Sequence, residues 1–175
     1  RSLRRGHVWG HTHYRAVGVA LVLGQTATDQ FLGVFAKAPD PNSGGRQVVN
    51  QFSDRDANIV TGSVCIATQF PQAAGIALAI KNRKEDKVVF TYGGDGATSP
   101  GDFLEAGNLA AIHKLPVVFI IEHDLVANST PSPKPLGVPP VADPAAAART
   151  HGPSAAGHHA HARSAARAHA TAPRA

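Results

Sequence analysis

Gly94-Asp95-Gly96 and, after 26 intervening residues, His123-Asp124 carry the carboxylates best placed to do chemistry. Each group follows a short apolar run of strand composition, Val88 to Tyr92 and Val117 to Ile121. In open parallel sheets, ligands gather at the carboxyl ends of strands, where the next helix turns free N–H groups and a partial positive charge toward them. The glycines around Asp95 let the backbone approach a phosphate, and its carboxylate is placed to hold a divalent ion. One or two carboxylates plus ligand phosphates usually hold Mg²⁺. Asp95 and Asp124, emerging from one edge of neighbouring or near-neighbouring strands, therefore read as a magnesium-phosphate site. The plain alternative, a Gly-Asp-Gly turn and a solvated loop acid, stays open on these residues alone, because short Gly-rich turns are weak signals.

Positioning these acids requires strands and crossover helices. Ser99-Pro100-Gly101-Asp102 offers an N-cap Ser, a Pro at the first helical position and an acid three residues after the cap, which predicts a helix over 100–114. Leu115-Pro116 ends it, and the strand over 117–121 completes a right-handed parallel crossover. Upstream, Ala67 to Lys84 is apolar nearly all round between Ala73 and Ile80, the pattern of a helix buried for most of its length. Strands alternating with helices give the fold class: α/β, a parallel sheet with flanking helices.

The chain of 175 residues has room for one domain with a sizeable core. Its apolar fraction of 43% leans on alanine, and only 6% of residues are aromatic. The net charge of +5 invites a nucleic-acid or membrane partner, but its distribution argues otherwise. Residues 1–15 hold +4 and residues 143–175 hold +3, leaving −2 on the middle of the chain. With few aromatics to stack on bases and no basic face on the folded part, no nucleic-acid partner is expected. No run approaches the 18 or so apolar residues of a membrane span, so no membrane partner is expected either. A single cysteine, Cys65, excludes an internal disulfide framework and a cysteine-based zinc site, and suits a reducing compartment.

Three zones separate by composition: an irregular N-terminal segment over 1–13, a mixed α/β domain over 14–130, and a low-complexity Ala/Pro/His/Arg tail over 131–175. Eight of the 13 prolines follow residue 130, and residues 151–175 contain no Val, Ile, Leu or Phe. Such a tail cannot offset an ordering entropy of roughly 1–2 kcal/mol per backbone residue and is expected to be disordered. Its vocabulary is also that of a GC-rich gene read out of frame. With no initiator Met and only part of a sheet in view, the chain is expected to be truncated, a fragment of something larger.

In chain order, Tyr14-Arg15, GGRQ (44–47), NIVTGS (58–63), ATQFPQAAGIALA (67–79), GDGATSPGDF (94–103) and NLAAIHKLPVVFI (108–120) resemble the α subunit of thiamine-diphosphate-dependent 2-oxo acid dehydrogenases, the E1 component. The likeness runs from Tyr14 to Thr130 and thinly to Ala148. It implies a thiamine-diphosphate-binding fold and decarboxylation of a 2-oxo acid, with the cofactor as electron sink and the acyl group passed to a lipoyl carrier. By the same resemblance Asp95 matches the Mg²⁺-ligating Asp and Gly94, Gly96 and Ala97 line the diphosphate turn. Asp124 falls on the second Asn of the family's Asn pair, a further metal ligand. Val126 falls on the residue whose backbone carbonyl completes that site. Tyr14 and Arg15 match the pair that contacts the diphosphate. Ile66 falls on a backbone anchor for the aminopyrimidine. Ser63, Cys65, Thr68 and Gln69 fall on a loop that binds a monovalent cation, K⁺, in branched-chain members. The implied partners are an E1 β subunit in an α₂β₂ heterotetramer and a lipoyl-bearing E2 core. The implied location is the cytoplasm of a bacterium, or the mitochondrial matrix of a eukaryote.

Departures from the family pattern matter as well. Asp at position 124 keeps an oxygen ligand but adds a charge beside the diphosphate, a gross repulsion of about 4 kcal/mol at ~4 Å and an effective dielectric of ~20. Gln51 stands where branched-chain members have a His near the cofactor, and Val64 replaces a Ser. No catalytic acid or base is assigned to this chain, since the resemblance puts the activating Glu on the β subunit. The favoured substrate class is a branched-chain 2-oxo acid, with pyruvate as the alternative. Two rivals stay open: a non-catalytic remnant that binds no cofactor, and an unrelated Mg²⁺-phosphate enzyme using the Asp95 turn.

Remaining candidates read as structural. His11 and His13 form an HxH, and His158, His159 and His161 cluster in the tail, where metal binding would be adventitious. Cys65 reads as core or loop lining, His113 as a residue serving the dipole near a helix C-terminus, and Glu105 as a solvated helix residue.

Overall fold

A computed structural model describes residues 6–122, together with the backbone of 126–127 and 130–131. Apart from the backbone of Pro131, the tail expected to be disordered lies outside the described residues.

The element order is β1 (Val8–His11), α1 (Val17–Val22), α2 (Ala27–Val34), β2 (Ile59–Val60), α3 (Gln69–Asn82), β3 (Val88–Gly94), a 3₁₀ turn (Asp95–Thr98), α4 (Gly101–His113) and β4 (Val117–Glu122), followed by a small antiparallel pair, β5 (Val126–Ala127) and β6 (Thr130–Pro131). Four strands form one sheet in the order β2-β1-β3-β4. Every pairing in it is parallel, with His11 opposite Thr91 and Gly94 opposite Glu122. The expected α/β architecture, a parallel sheet with flanking helices, is the one found.

Side chains alternate across the sheet because successive residues of a strand point to opposite faces. Val89, Val117, Phe119 and Ile121 join α3 and α4 in one core cluster. Phe90, Tyr92 and Ile120 join Ala16, Ala20 and Leu23 around α1 in the other. Crossovers stepping in opposite directions from β1 must put their helices on opposite faces if both are right-handed, and the two clusters fit that rule. Alanines at 73, 74 and 77 let α3 lie close to the sheet, and Ala106 and Ala110 do the same for α4.

An aromatic group consolidates the first cluster near the strand ends. Phe70 and Phe103 meet edge-on with ring centroids 5.0 Å apart, and both reach Phe119, at 5.8 and 6.1 Å. Such pairs contribute about 0.5–1.5 kcal/mol beyond the area they bury.

Several local expectations are corrected. Residues 8–11, inside the segment expected to be irregular, form β1, an interior strand of the sheet. Four residues containing a glycine are too short for an alternation signal, and parallel pairing on both sides supplies the stability that the local sequence does not. The Gly-Gly expected to break the third strand instead continues it: Gly93 and Gly94 pair with Ile121 and Glu122, and the turn starts at Asp95. Helix α3 carries buried residues along most of its length, from Gln69 to Ile80, as expected, but on one face only, since Gln72, Gly75 and Ala79 are exposed. Helix α4 begins at Gly101 with Pro100 at its N-cap position, so the cap expected from Ser99 falls one residue early. The helix ends at Lys114 in a left-handed conformation, and the N–H of Leu115 donates to the carbonyl of Ala110 at 2.9 Å. That Schellman-type closure, not Pro116 alone, stops the helix.

Candidate functional site

Strand order fixes where a ligand can enter. From β1 the chain steps to β2 on one side, whereas from β3 it steps to β4 on the other. The adjacent strands β1 and β3 therefore bound a topological switch point, where loops leave in opposite directions and open a crevice at the carboxyl edge. Tyr14-Arg15 follow β1, and Asp95 follows β3, so the residues expected to grip a diphosphate and a metal flank that crevice.

Asp95 opens a 3₁₀ turn at the carboxyl end of β3. Its side chain is 6% exposed, and one carboxylate oxygen accepts the Gly96 N–H at 2.9 Å. Thr98 Oγ1 donates to the Asp95 carbonyl at 2.6 Å and closes the turn. Ala97 is buried beneath it. Strand β5, which carries the Val126 backbone, packs against this turn. Asp124 lies outside the described residues, as do the clustered tail histidines His158, His159 and His161.

Tyr14 and Arg15 form a unit. The Arg15 guanidinium lies 5.4 Å from the centre of the Tyr14 ring, within cation–π range, and donates to the Tyr14 hydroxyl at 3.4 Å. Arg15 also borders an open hollow of about 400 Å³, shared with Ala16, Val19, Tyr92 and Glu122. Burial, and secondarily the Glu122 carboxylate, pushes the Tyr92 hydroxyl above its ordinary value, so the phenol stays protonated.

A residue pair that sequence reasoning had not joined spans the same edge. His13 Nε2 lies 3.3 Å from a carboxylate oxygen of Glu122, the last residue of β4, and His13 Nδ1 accepts the backbone N–H of Arg15 at 3.1 Å. Burial lowers the His13 pKa and outweighs the opposing pull of Glu122, leaving a neutral ring. With Nδ1 accepting, the proton sits on Nε2 and is donated to Glu122. The sequence signals were a His at the end of β1 and an acid at the end of β4, both visible but unconnected.

The HxH does not act as a chelating pair. His11 is fully buried and its Nε2 bonds the Gln72 side chain on α3, whereas His13 turns to β4. Among the described residues no three His, Cys, Asp or Glu side chains gather as a metal cluster.

The loop between β2 and α3 brings Ser63, Cys65 and Thr68 together. Ser63 Oγ accepts the Cys65 N–H at 3.1 Å, and Thr68 Oγ1 donates to the Cys65 carbonyl at 3.0 Å. Cys65 and Ile66 are exposed, so Cys65 is not a core residue. Gln69 is buried and its amide donates to the Tyr92 carbonyl at 2.9 Å, tying this loop to β3. Gln51 packs beside Gly62 and is buried with neither amide atom partnered among the described residues. Leaving a buried amide of that kind unpaired costs about 1–3 kcal/mol, a cost that a ligand or water hydrogen-bonded to it would remove. Glu105 is exposed, and His113 occupies the last turn of α4 as expected.

The residue types fit a metal-bridged diphosphate: a guanidinium after β1 and a buried carboxylate after β3. A parallel sheet with helices on both faces and a switch point between β1 and β3 makes this an α/β protein. Residues 6–155 match the model of the family described as Dehydrogenase E1 component, and the chain belongs to that family. It is 46% identical over 131 residues to the 2-oxoisovalerate dehydrogenase subunit alpha of Bacillus subtilis, a match covering 75% of this chain and 40% of the relative. Over 125 residues it is 38% identical to the mitochondrial 2-oxoisovalerate dehydrogenase subunit alpha of Caenorhabditis elegans, covering 71% of this chain and 29% of that one. Over 85 residues it is 44% identical to the pyruvate dehydrogenase E1 component subunit alpha of Staphylococcus aureus, covering 49% and 23%. The chain thus spans 40% or less of the length of each of these relatives.

Proposed function

We propose that this chain supplies the diphosphate and metal half of the active site of a 2-oxo acid dehydrogenase E1 α subunit, acting on a branched-chain 2-oxo acid. The observation that carries the proposal is that Arg15 and Asp95 follow adjacent parallel strands, β1 and β3, at the switch point of the sheet. When bound, thiamine diphosphate supplies the electron sink for decarboxylation. Tyr14 and Arg15 bind its diphosphate, and Gly94, Gly96 and Ala97 let the backbone of the turn approach it. Asp95 and Asp124 ligate Mg²⁺, with the Val126 carbonyl beside them. Ile66 offers its backbone to the aminopyrimidine, and Ser63, Cys65, Thr68 and Gln69 form the K⁺ loop. Substrate preference is argued from the relatives: two of the three named above are 2-oxoisovalerate dehydrogenases, one of them at 46% identity.

No acid or base of this chain handles the reacting carbon in this reading, so the site is completed by a β subunit in an α₂β₂ assembly that passes its acyl group to a lipoyl-bearing E2 core. The location that goes with it is a bacterial cytoplasm or the mitochondrial matrix. Calorimetric titration with thiamine diphosphate and Mg²⁺, alone and with a β subunit, tests it. Binding that appears with the partner and is lost in Asp95→Asn supports the proposal. Absence of binding in both arms overturns it in favour of a non-catalytic chain, and nucleotide binding without thiamine diphosphate would favour an unrelated phosphate enzyme.

A further inference from the structure

We infer that His13 is a positioning residue, a strap that ties the backbone of Arg15 to Glu122 across the end of β3 and so presents the Arg15 guanidinium to the crevice. The inference rests on the reading given under Proposed function and adds to it a residue pair that contacts no ligand.

Arg15 follows the last residue of β1 by four positions, in a turn preceding a helix of only six residues, α1. Such a short helix has little cooperative stability of its own to fix the turn before it. Two bonds from one imidazole do so instead. His13 Nδ1 accepts the Arg15 N–H at 3.1 Å, and Nε2 lies 3.3 Å from Glu122. Glu122 is the terminal residue of β4 and pairs in register with Gly94, the neighbour of Asp95. One side chain therefore connects the two walls of the crevice, the Arg15 turn and the strand ends beside Asp95. The His13 ring is also packed edge-on against Tyr14, with centroids 5.5 Å apart, so the orientation of Tyr14 depends on the same ring. His13 is 9% exposed, which shields its Nδ1 bond to Arg15 from water, while the Glu122 side chain at the other end is 57% exposed.

The bonds have separable mimics. Asn at position 13 retains an acceptor near Nδ1, whereas Gln retains a donor near Nε2. The test compares wild type with His13→Ala, His13→Asn and His13→Gln in the full chain, measuring amide exchange of Arg15 without cofactor and affinity for thiamine diphosphate with Mg²⁺ in the presence of a β subunit. Loss of one backbone-positioning bond should weaken affinity about tenfold in His13→Ala, with Arg15 exchange faster by a similar factor. His13→Asn, which keeps only the bond to Arg15, should restore the Arg15 exchange rate and part of the affinity, and His13→Gln, which keeps only the bond to Glu122, should leave the exchange as fast as in His13→Ala. Equal behaviour of Asn and Gln, or an Arg15 amide indifferent to all three changes, overturns the strap. If wild type binds no thiamine diphosphate, the reading under Proposed function fails, and the exchange of Arg15 still decides the strap by itself.

Discussion

Phe70 occupies the space that a side chain on Gly93 would need: a Cβ built there falls 2.4 Å from Phe70 Cζ. The ring packs over the end of β3, against Phe103 and Phe119, and so holds the strand directly before Asp95. Gly93→Ala must therefore displace either the ring or the strand. Overpacking of this kind costs roughly 1–3 kcal/mol. A lowered urea midpoint together with weaker Mg²⁺-dependent diphosphate binding is expected; an unchanged midpoint would mean that the ring yields freely.

Asp40 organises the loop over 40–47. Its carboxylate accepts the N–H groups of Asn42, Ser43 and Gly45 and the side chains of Asn42 and Ser43, all within 2.8–3.0 Å. Burial opposes its charge, yet these donors hold its pKa down to about 2 from 3.8. A depressed acid contributes stability above its unfolded value and loses it as pH falls through the folded one. Stability should decline between pH 3.8 and about 2, and Asp40→Ala should already be destabilised by roughly 2–4 kcal/mol at neutral pH. Equilibrium denaturation of both proteins down the acid range is the measurement.

Burial lowers the His11 pKa from 6.5, against hydrogen bonds to Gln72 and to the backbone at Thr12 that raise it. The folded ring stays neutral while the unfolded chain takes up a proton near 6.5, so the unfolded state binds more protons and folding weakens as pH falls below that value. His13 shifts in the same direction and shares the effect. Unfolding free energies at pH 7.5 and about 5.5 should fall less in His11→Gln than in wild type; parallel losses would contradict the assignment.

Lys114 ends α4 at φ 47°, ψ 56°, a conformation that glycine adopts at no steric cost. Lys114→Gly should stabilise the chain by about 0.5–1 kcal/mol, read as a higher melting temperature, because the Leu115-to-Ala110 closure survives the change. A drop in melting temperature would show that the lysine side chain outweighs the relieved backbone.

Within the sequence, the legible elements were those whose signals are local. Pro100 with Asp102 marked the start of a helix, Val117 to Ile121 a strand, and the alanine-rich run from Ala73 a buried crossover, because turn chemistry, β-branched residues and apolar spacing act over a few residues. The Gly94-Asp95-Gly96 turn and the parallel crossover around it were also readable, and with them one wall of the site. Tyr14 and Arg15 entered only through family resemblance, since nothing in their own spacing points to a phosphate.

Tertiary structure alone decided the strand order, and with it the switch point whose two strands are followed by Arg15 and Asp95. Strand β1 has four residues and β2 two, too few for any periodicity, and both exist because the sheet pairs them. His13 and Glu122 are separated by 109 residues, so their meeting depends on two strands flanking a third. Chain segments encode their own conformation through short-range sterics and hydrogen bonding, but which segments become neighbours is set by the joint burial of apolar faces, and a site built across those neighbours exists only once that burial is complete.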